Sequence, residues 1–243
     1  MRGKTIPLTL GRRLVADLVA ASNWTTKGVI SRQMHLPRLV AARATQTDRT
    51  PWTALIATAF SRVAAHRPEL RRSYAPFPRP HLYEVPVSIA VITVAREVNG
   101  EEILQFARIR APDLLGPVTT GTELRRLSST PLTDIPDSRK LLAIMRWPWP
   151  IRKILWWIGL NVGRQRANFF GTFGITSLAG MNASINSAVH PLSICLSWSP
   201  LSEDSKTVMV CSFDHRVCDG MTIAQALAAL EAELEGPVAS ALR

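Results

Sequence analysis

Acidic side chains are what this chain is short of. It has 18 Asp and Glu against 29 Lys and Arg in 243 residues, a formal charge of +11. Such a balance favours an anionic partner (a nucleotide-bearing cofactor, an acidic protein, a membrane surface, a nucleic acid) or describes a solvated basic surface. Cysteine is scarce too: Cys195, Cys211 and Cys218 are all there is. None sits in a C-x-x-C and no histidine pair stands at ligand spacing. A disulfide framework and a metal site are therefore not expected, and a reducing, cytoplasmic compartment is. Long apolar runs are missing as well. No stretch of about 18 residues is both free of charge and continuously apolar, so no membrane-spanning helix is expected. Asp17 interrupts the first apolar run, so the basic N-terminus reads as an amphipathic helix and not a signal peptide. There is no phosphate loop of Walker type, no G-x-G-x-x-G after a strand and no G-x-S-x-G elbow. No zinc finger or RNA-recognition motif supports nucleic-acid binding.

What is present reads as one α/β domain over 1–243, without repeats or linkers. "GRRLVADLVAAS" (11–22) is helical, with Leu14, Leu18 and Val19 along one stripe. "KGVISRQMHL" suggests a strand, with a short helix from Pro37. Thr50 and Pro51 open a helix carrying Leu55, Ala59 and Val63, and Pro68 ends it. Asn99-Gly100 marks a hairpin. Thr120 and Glu123 have capping-box spacing. After a Pro/Trp-rich stretch, Ile151, Ile154, Leu155, Ile158 and Val162 share a helical face. "PLSICLSWS" alternates as a half-buried strand, and "KTVMVCSFDH" is a second. Gly220 breaks it, and a last helix runs from Met221 to Glu235, stopped by Gly236-Pro237.

The densest chemistry is "SFDHRVCDG" (212–220). His215 and Asp219 lie at i and i+4 in a strand-to-helix connection, where a sheet's rim exposes side chains. Histidine exchanges a proton near pH 7. The plainer reading makes His215 a satisfied polar residue and Asp219 a cap of the last helix.

"DHRVCDG" (214–220) resembles the D-H-R-x-x-D-G signature of the acyltransferase core of 2-oxo acid dehydrogenase complexes, and the H-x-x-x-D-G of chloramphenicol acetyltransferase. "GTFGITSLAG" (171–180), about forty residues upstream, is similar to that family's G-T-F-T-I-S-N-L-G. More weakly, "GRRLVADLVAAS" resembles its R-x-x-I-A-x-x-L-x-x-S opening helix. The resemblance implies a two-layer sandwich of mixed β-sheet and helices, and transfer of an acyl group between coenzyme A and a thiol, hydroxyl or amine acceptor. It implies His215 as general base. Thr176, at the place of the family's serine, would be the oxyanion donor, with Ser177 following. Asp219, beside Gly220, would hold the loop by pairing with Arg12 or, next, Arg13. It also implies a homotrimer, or a multiple of one, with the site between subunits.

The chain has no room for lipoyl or subunit-binding domains, so the acceptor could be a separate lipoyl protein, coenzyme A or a small molecule. A silent scaffold of the same fold, or a basic membrane-peripheral protein, are the other readings. The latter rests on "MRWPWPIRKILWWIGLNVGRQR" (145–166), where four tryptophans alternate with Arg and Lys. That segment fits an inward-packed or subunit-contact helix, an interfacial membrane helix or a wall of the acyl channel.

Overall fold

The alternating segments pair into one mixed sheet in a computed structural model that describes residues 8–23, 27–98 and 100–242. In chain order the elements are α1 (Leu10–Ser22), β1 (Lys27–His35), α2 (Pro37–Ala44), α3 (Trp52–His66), β2 (Arg72–Ala75), β3 (His81–Glu84), β4 (Ile89–Val98) and β5 (Glu101–Arg110). Then come α4 (Pro112–Leu115), α5 (Pro117–Ser129), α6 (Pro136–Met145), α7 (Trp149–Asn161), α8 (Gly163–Phe170), β6 (Phe173–Ile175), β7 (Ile194–Trp198), β8 (Lys206–Asp214) and α9 (Gly220–Glu233). The six-stranded sheet runs β1-β8-β7-β6-β4-β5, and β2 with β3 forms a separate ribbon. Strand β6 is parallel to β4 and to β7, while β7–β8, β8–β1 and β4–β5 are antiparallel.

One sheet face supplies the core. Ile92, Ile109, Phe173, Ile175, Leu196, Met209 and Phe213 pack there against Leu55, Ala59, Phe60 and Val63 of α3, and against Ile223, Leu227 and Leu230 of α9. The Leu55/Ala59/Val63 stripe is buried as its spacing requires. The α/β expectation holds: the sheet is mixed and helices pack against it.

Several local expectations are corrected. The strand Ile194–Trp198 is buried on both faces, not one. It lies between β6 and β8, and the irregular segment after β6 covers its serine side. Ser197 Oγ donates to the Ile185 carbonyl at 2.7 Å, and Ser212 Oγ shares a 2.6 Å hydrogen bond with His190 Nε2. Thr120 caps nothing. It is buried inside α5, whose first residues are Pro117 and Val118, and Glu123 pairs with Arg126. Val19 points outward. The Pro/Trp-rich stretch contains a helix, α6, with Pro136 in its first turn and Asp137 beside it, a start signal that the surrounding prolines obscure. Gly236-Pro237 does not stop the last helix. A widened π-turn over Leu234–Val238 accommodates the proline, and Val238, Ala239 and Leu242 continue into the core. On α7, Ile151, Ile154 and Ile158 are exposed, so the face read as apolar does not pack inward in this chain. Of the hairpin pair, Asn99 lies outside the described residues; Gly100 takes φ +76°, the left-handed region the turn needs.

Candidate active site

His215 follows the last residue of β8 and is exposed. Its flanking residues clamp the turn. Asp214, 1% exposed, accepts from Arg216 at three points: the backbone N–H at 3.0 Å, Nε at 2.9 Å and a terminal nitrogen at 2.7 Å. The Asp214 carbonyl also receives Val217 N at 2.9 Å and Cys218 N at 3.2 Å. The Arg216 guanidinium lies 4.4 Å over the Tyr74 ring, and the bond to Asp214 raises its already high pKa. Two residues that pair with each other thus hold the one between them outward.

The imidazole rests on the Phe213 ring, with centroids 4.7 Å apart. Both rings use space left by Gly28 on the neighbouring edge strand. A Cβ there would come 2.5 Å from Phe213 Cζ and 2.9 Å from His215 Cδ2.

Behind the turn the interior is unusually polar. Arg166 is buried and donates to the carbonyls of Tyr74 at 3.0 Å, Leu160 at 3.3 Å and Pro191 at 2.8 Å. Burial lowers its pKa to about 10, while the Asp214 charge opposes the shift. His190, buried beside Ser212, is pushed down to about 3 by burial first and by the Lys27 charge second. Lys27 Nζ donates to the Ala188 carbonyl at 3.3 Å, and burial lowers its pKa. The three cysteines are buried. Burial raises Cys195 to about 12 and Cys218 to about 11, and moves Cys211 in the same direction, so none is a ready nucleophile.

Asp219 occupies the N-cap position of α9 but is exposed, and its side chain makes no capping bond. Among the described residues no ion pair joins it to Arg12 or Arg13. Arg13 Nε donates instead to the Leu8 carbonyl at 3.2 Å, and Arg12 is exposed. In this chain the loop is shaped by Asp214–Arg216, not by the expected Asp219 pair. Gly220 passes close to β1, where a Cβ would meet Ile30 Cδ1 at 3.3 Å.

Thr176 stands just beyond β6, its N–H donating to the Leu196 carbonyl at 3.0 Å. Its hydroxyl has no hydrogen bond among the described residues. Ser177 is differently placed: its Oγ donates to the Trp198 carbonyl at 3.4 Å and accepts from Ala179 N at 3.0 Å. That hydroxyl is engaged in the local turn. Beside it opens a groove of about 350 Å³ lined by Trp52, Thr53, Ser177, Ala179, Gly180, Trp198, Pro200 and Leu201. Its size suits one extended small-molecule arm.

The sheet does not bring Thr176 and His215 together. Strand β6 is parallel to β7, and β7 is antiparallel to β8, with Ile175 level with Leu196 and Leu196 level with Cys211. The end of β6 and the end of β8 therefore face opposite ways. Thr176 and His215 are two strands apart sideways and several residues apart lengthways, about 19 Å at ~3.3 Å per residue and ~4.8 Å per strand.

This is the fold of the dihydrolipoamide acetyltransferase cores. A probable dihydrolipoamide acetyltransferase from Listeria monocytogenes superposes over 97% of this chain and 95% of its own, with TM-score 0.71 at 16% identity. The Azotobacter vinelandii dihydrolipoamide acetyltransferase (E2p) does so over 97% and 93%, with TM-score 0.70 at 17% identity. That protein was studied for the role of a serine, a histidine and an asparagine in its catalytic mechanism, the last two separated by four positions. A chloramphenicol acetyltransferase matches over 90% and 94%, with TM-score 0.53 at 13% identity. No family model and no curated protein sequence matches the chain. Likeness at these identities establishes the shared fold, as the motifs at 171–180 and 214–220 led one to expect.

The sequence reading missed Gly28, Asp214, Arg216 and Arg166. Asp214 and Arg216 were visible within the motif, and pairing at i and i+2 across a turn could have been considered. Nothing in the sequence marks Gly28 or Arg166.

Proposed function

We propose that this chain is an acyltransferase whose site is completed between neighbouring chains of a homotrimer, His215 supplied by one and Thr176 by the next. The observation that carries this is their placement. Each is accessible, each stands at a motif, and the sheet holds them about 19 Å apart within one chain. A second copy is what could bring a base to a hydroxyl. The fold, shared with acetyltransferase cores, supports the chemistry.

The step follows from the groups. The acceptor's thiol has a pKa of about 8.5, so at pH 7 it is mostly protonated and gains from a base. His215 removes that proton as the sulfur attacks the thioester carbonyl of an acyl-coenzyme A. The resulting oxyanion takes a hydrogen bond from the Thr176 hydroxyl. Collapse expels the coenzyme A thiolate, which recovers the proton from the imidazolium. A hydroxyl or amine acceptor would use the same base. The groove beside Ser177 would take the thioester arm, and the basic surface suits the coenzyme's phosphates. A lipoyl group on a separate protein is an acceptor of the right kind. Asp219 and Gly220 would close the turn beside the base, with Asp219 open to a neighbouring chain.

The test assays purified protein with acetyl-coenzyme A against thiol, amine and alcohol acceptors, detecting released thiol, with light scattering in parallel. His215→Ala should keep its assembly and lose about 10²–10⁴ in turnover. Thr176→Val should lose about 10²–10³. Transfer that survives His215→Ala, or a fully active monomer, would overturn the reading.

A further inference from the structure

Helix α7 is folded inside out. Its inward side carries an arginine: Arg152 is 6% exposed, and its Nε donates to Asp17 Oδ2 of α1 at 2.8 Å, with a second bond to Oδ1 at 3.3 Å. Its outward side carries the apolar residues. Trp149 and Ile154 are each 59% exposed, Ile151 44%, Trp157 42% and Ile158 37%. On a helix at 100° per residue these cover an arc of about 200°, shared with Pro150, Lys153 and, at the helix's C-terminal end, the buried Leu160 and Asn161. Lys153 lies over the Trp149 ring, Nζ 4.6 Å from its centroid. Trp147, 46% exposed, extends the patch at one end, and Phe77, edge-on to Trp157 and 51% exposed, extends it at the side.

The charge around this patch has one sign. Residues 138–202 contain no Asp or Glu at all. Arg139, Lys140, Arg146 and Arg164 are exposed and make no ion pair among the described residues. The main packing partners of α7, namely α1, α8 and β2, add a single acid, Asp17, which Arg152 already holds. A two-fold contact of this patch with its own copy would set these cations against one another. No helix among the described residues is long and apolar enough to cross a membrane.

We propose that the outward face of α7 lies in the interface of an anionic lipid bilayer, with Trp149, Ile154 and Trp157 at acyl-chain depth and the surrounding Arg and Lys among the headgroup phosphates. Exposed tryptophan beside cations suits that boundary, where an indole is apolar on one side and wet on the other. The free cations supply the complementary charge to an anionic leaflet. The inference stands apart from the acyl-transfer reading and does not need it.

The test floats full-length protein with vesicles of phosphatidylcholine alone and with vesicles about one third phosphatidylglycerol, at about 0.1 M and about 0.5 M salt. Wild type should bind the anionic vesicles at low salt and weakly elsewhere. The double variant Ile154→Ser/Trp157→Ser changes exposed residues and should keep its melting temperature, while its partition falls about 10- to 100-fold. Arg146→Glu/Lys153→Glu should abolish the preference for anionic lipid. Three results would overturn the proposal: no binding by wild type at low salt, equal binding by the Ser variant, or a Ser variant that changes oligomeric state in light scattering. The last would make the face a contact between copies.

Discussion

Gly28→Ala adds one methyl group to an edge strand distant in sequence from the motifs at 171–180 and 214–220, and it should damage both stability and turnover. The new Cβ would lie 2.5 Å and 2.8 Å from Phe213 ring carbons and 2.9 Å from His215 Cδ2. Carbon pairs settle at about 3.5–4.0 Å, so something must move by about 1 Å. Phe213 is 1% exposed and locked in the core, so it resists. His215 is exposed and gives way. Overpacking of this kind costs typically about 1–3 kcal/mol. At about 2–4 °C per kcal/mol for a chain of this size, the melting temperature should fall by several degrees. Turnover should fall by about 10²-fold, the order a 1 Å misplacement produces. Thermal unfolding and the thiol-release assay read the two effects separately. Gly28→Ala/Phe213→Leu makes room and should recover the stability while leaving turnover low, because the imidazole has lost its support. A single variant that melts and turns over like wild type would refute the claim that this gap positions the base.

Two further expectations follow from the polar interior. Asp214→Asn removes the charge that Arg216 grips; because Arg216 keeps contact with water, the loss should be about 2–3 kcal/mol, below the figure for a fully buried pair, and denaturant unfolding would measure it. His190 is held neutral, with its folded pKa near 3 below the ordinary 6.5. The unfolded chain therefore binds the extra proton first, and stability, complete above about pH 6.5, should decline on acidification by up to about 1.4 kcal/mol per pH unit until the folded value is reached. His190→Gln, compared with wild type by melting temperature across that window, should show a flatter acid limb; identical limbs would mean that another group governs it.

Short-range signals carried the reading of this chain a long way. The Leu55/Ala59/Val63 stripe, the Gly100 turn and the strand-to-helix connection that carries His215 each depend on neighbours within a few positions, and each is found where the local pattern placed it. The failures share a cause. The serines of β7 read as a solvent face because alternation cannot register a segment that folds over it from elsewhere. Arg152 and the isoleucines of α7 share one periodicity, and periodicity alone cannot say which side turns inward; the partner that decides it, Asp17, is 135 residues away. Asp219 was assigned an ion pair by likeness to a motif, whereas the pair that forms, Asp214–Arg216, needs only the tightness of the turn. Gly28 could not be singled out, since its meaning comes from two rings on the next strand.

The opposed ends of the sheet have a genetic consequence. If neighbouring chains complete the site, one gene encodes two halves that never serve each other in the same molecule. Two defective alleles, one without His215 and one without Thr176, would then rescue one another when expressed together, about a quarter of the sites in randomly mixed rings holding both groups. The same arithmetic leaves either allele harmless to wild type, because each wild-type chain finds the complementary group intact on its neighbour, whereas a chain lacking both groups would poison it. Inheritance at this locus would thus depend on whether two mutations at opposite ends of the sheet strike one copy of the gene or two.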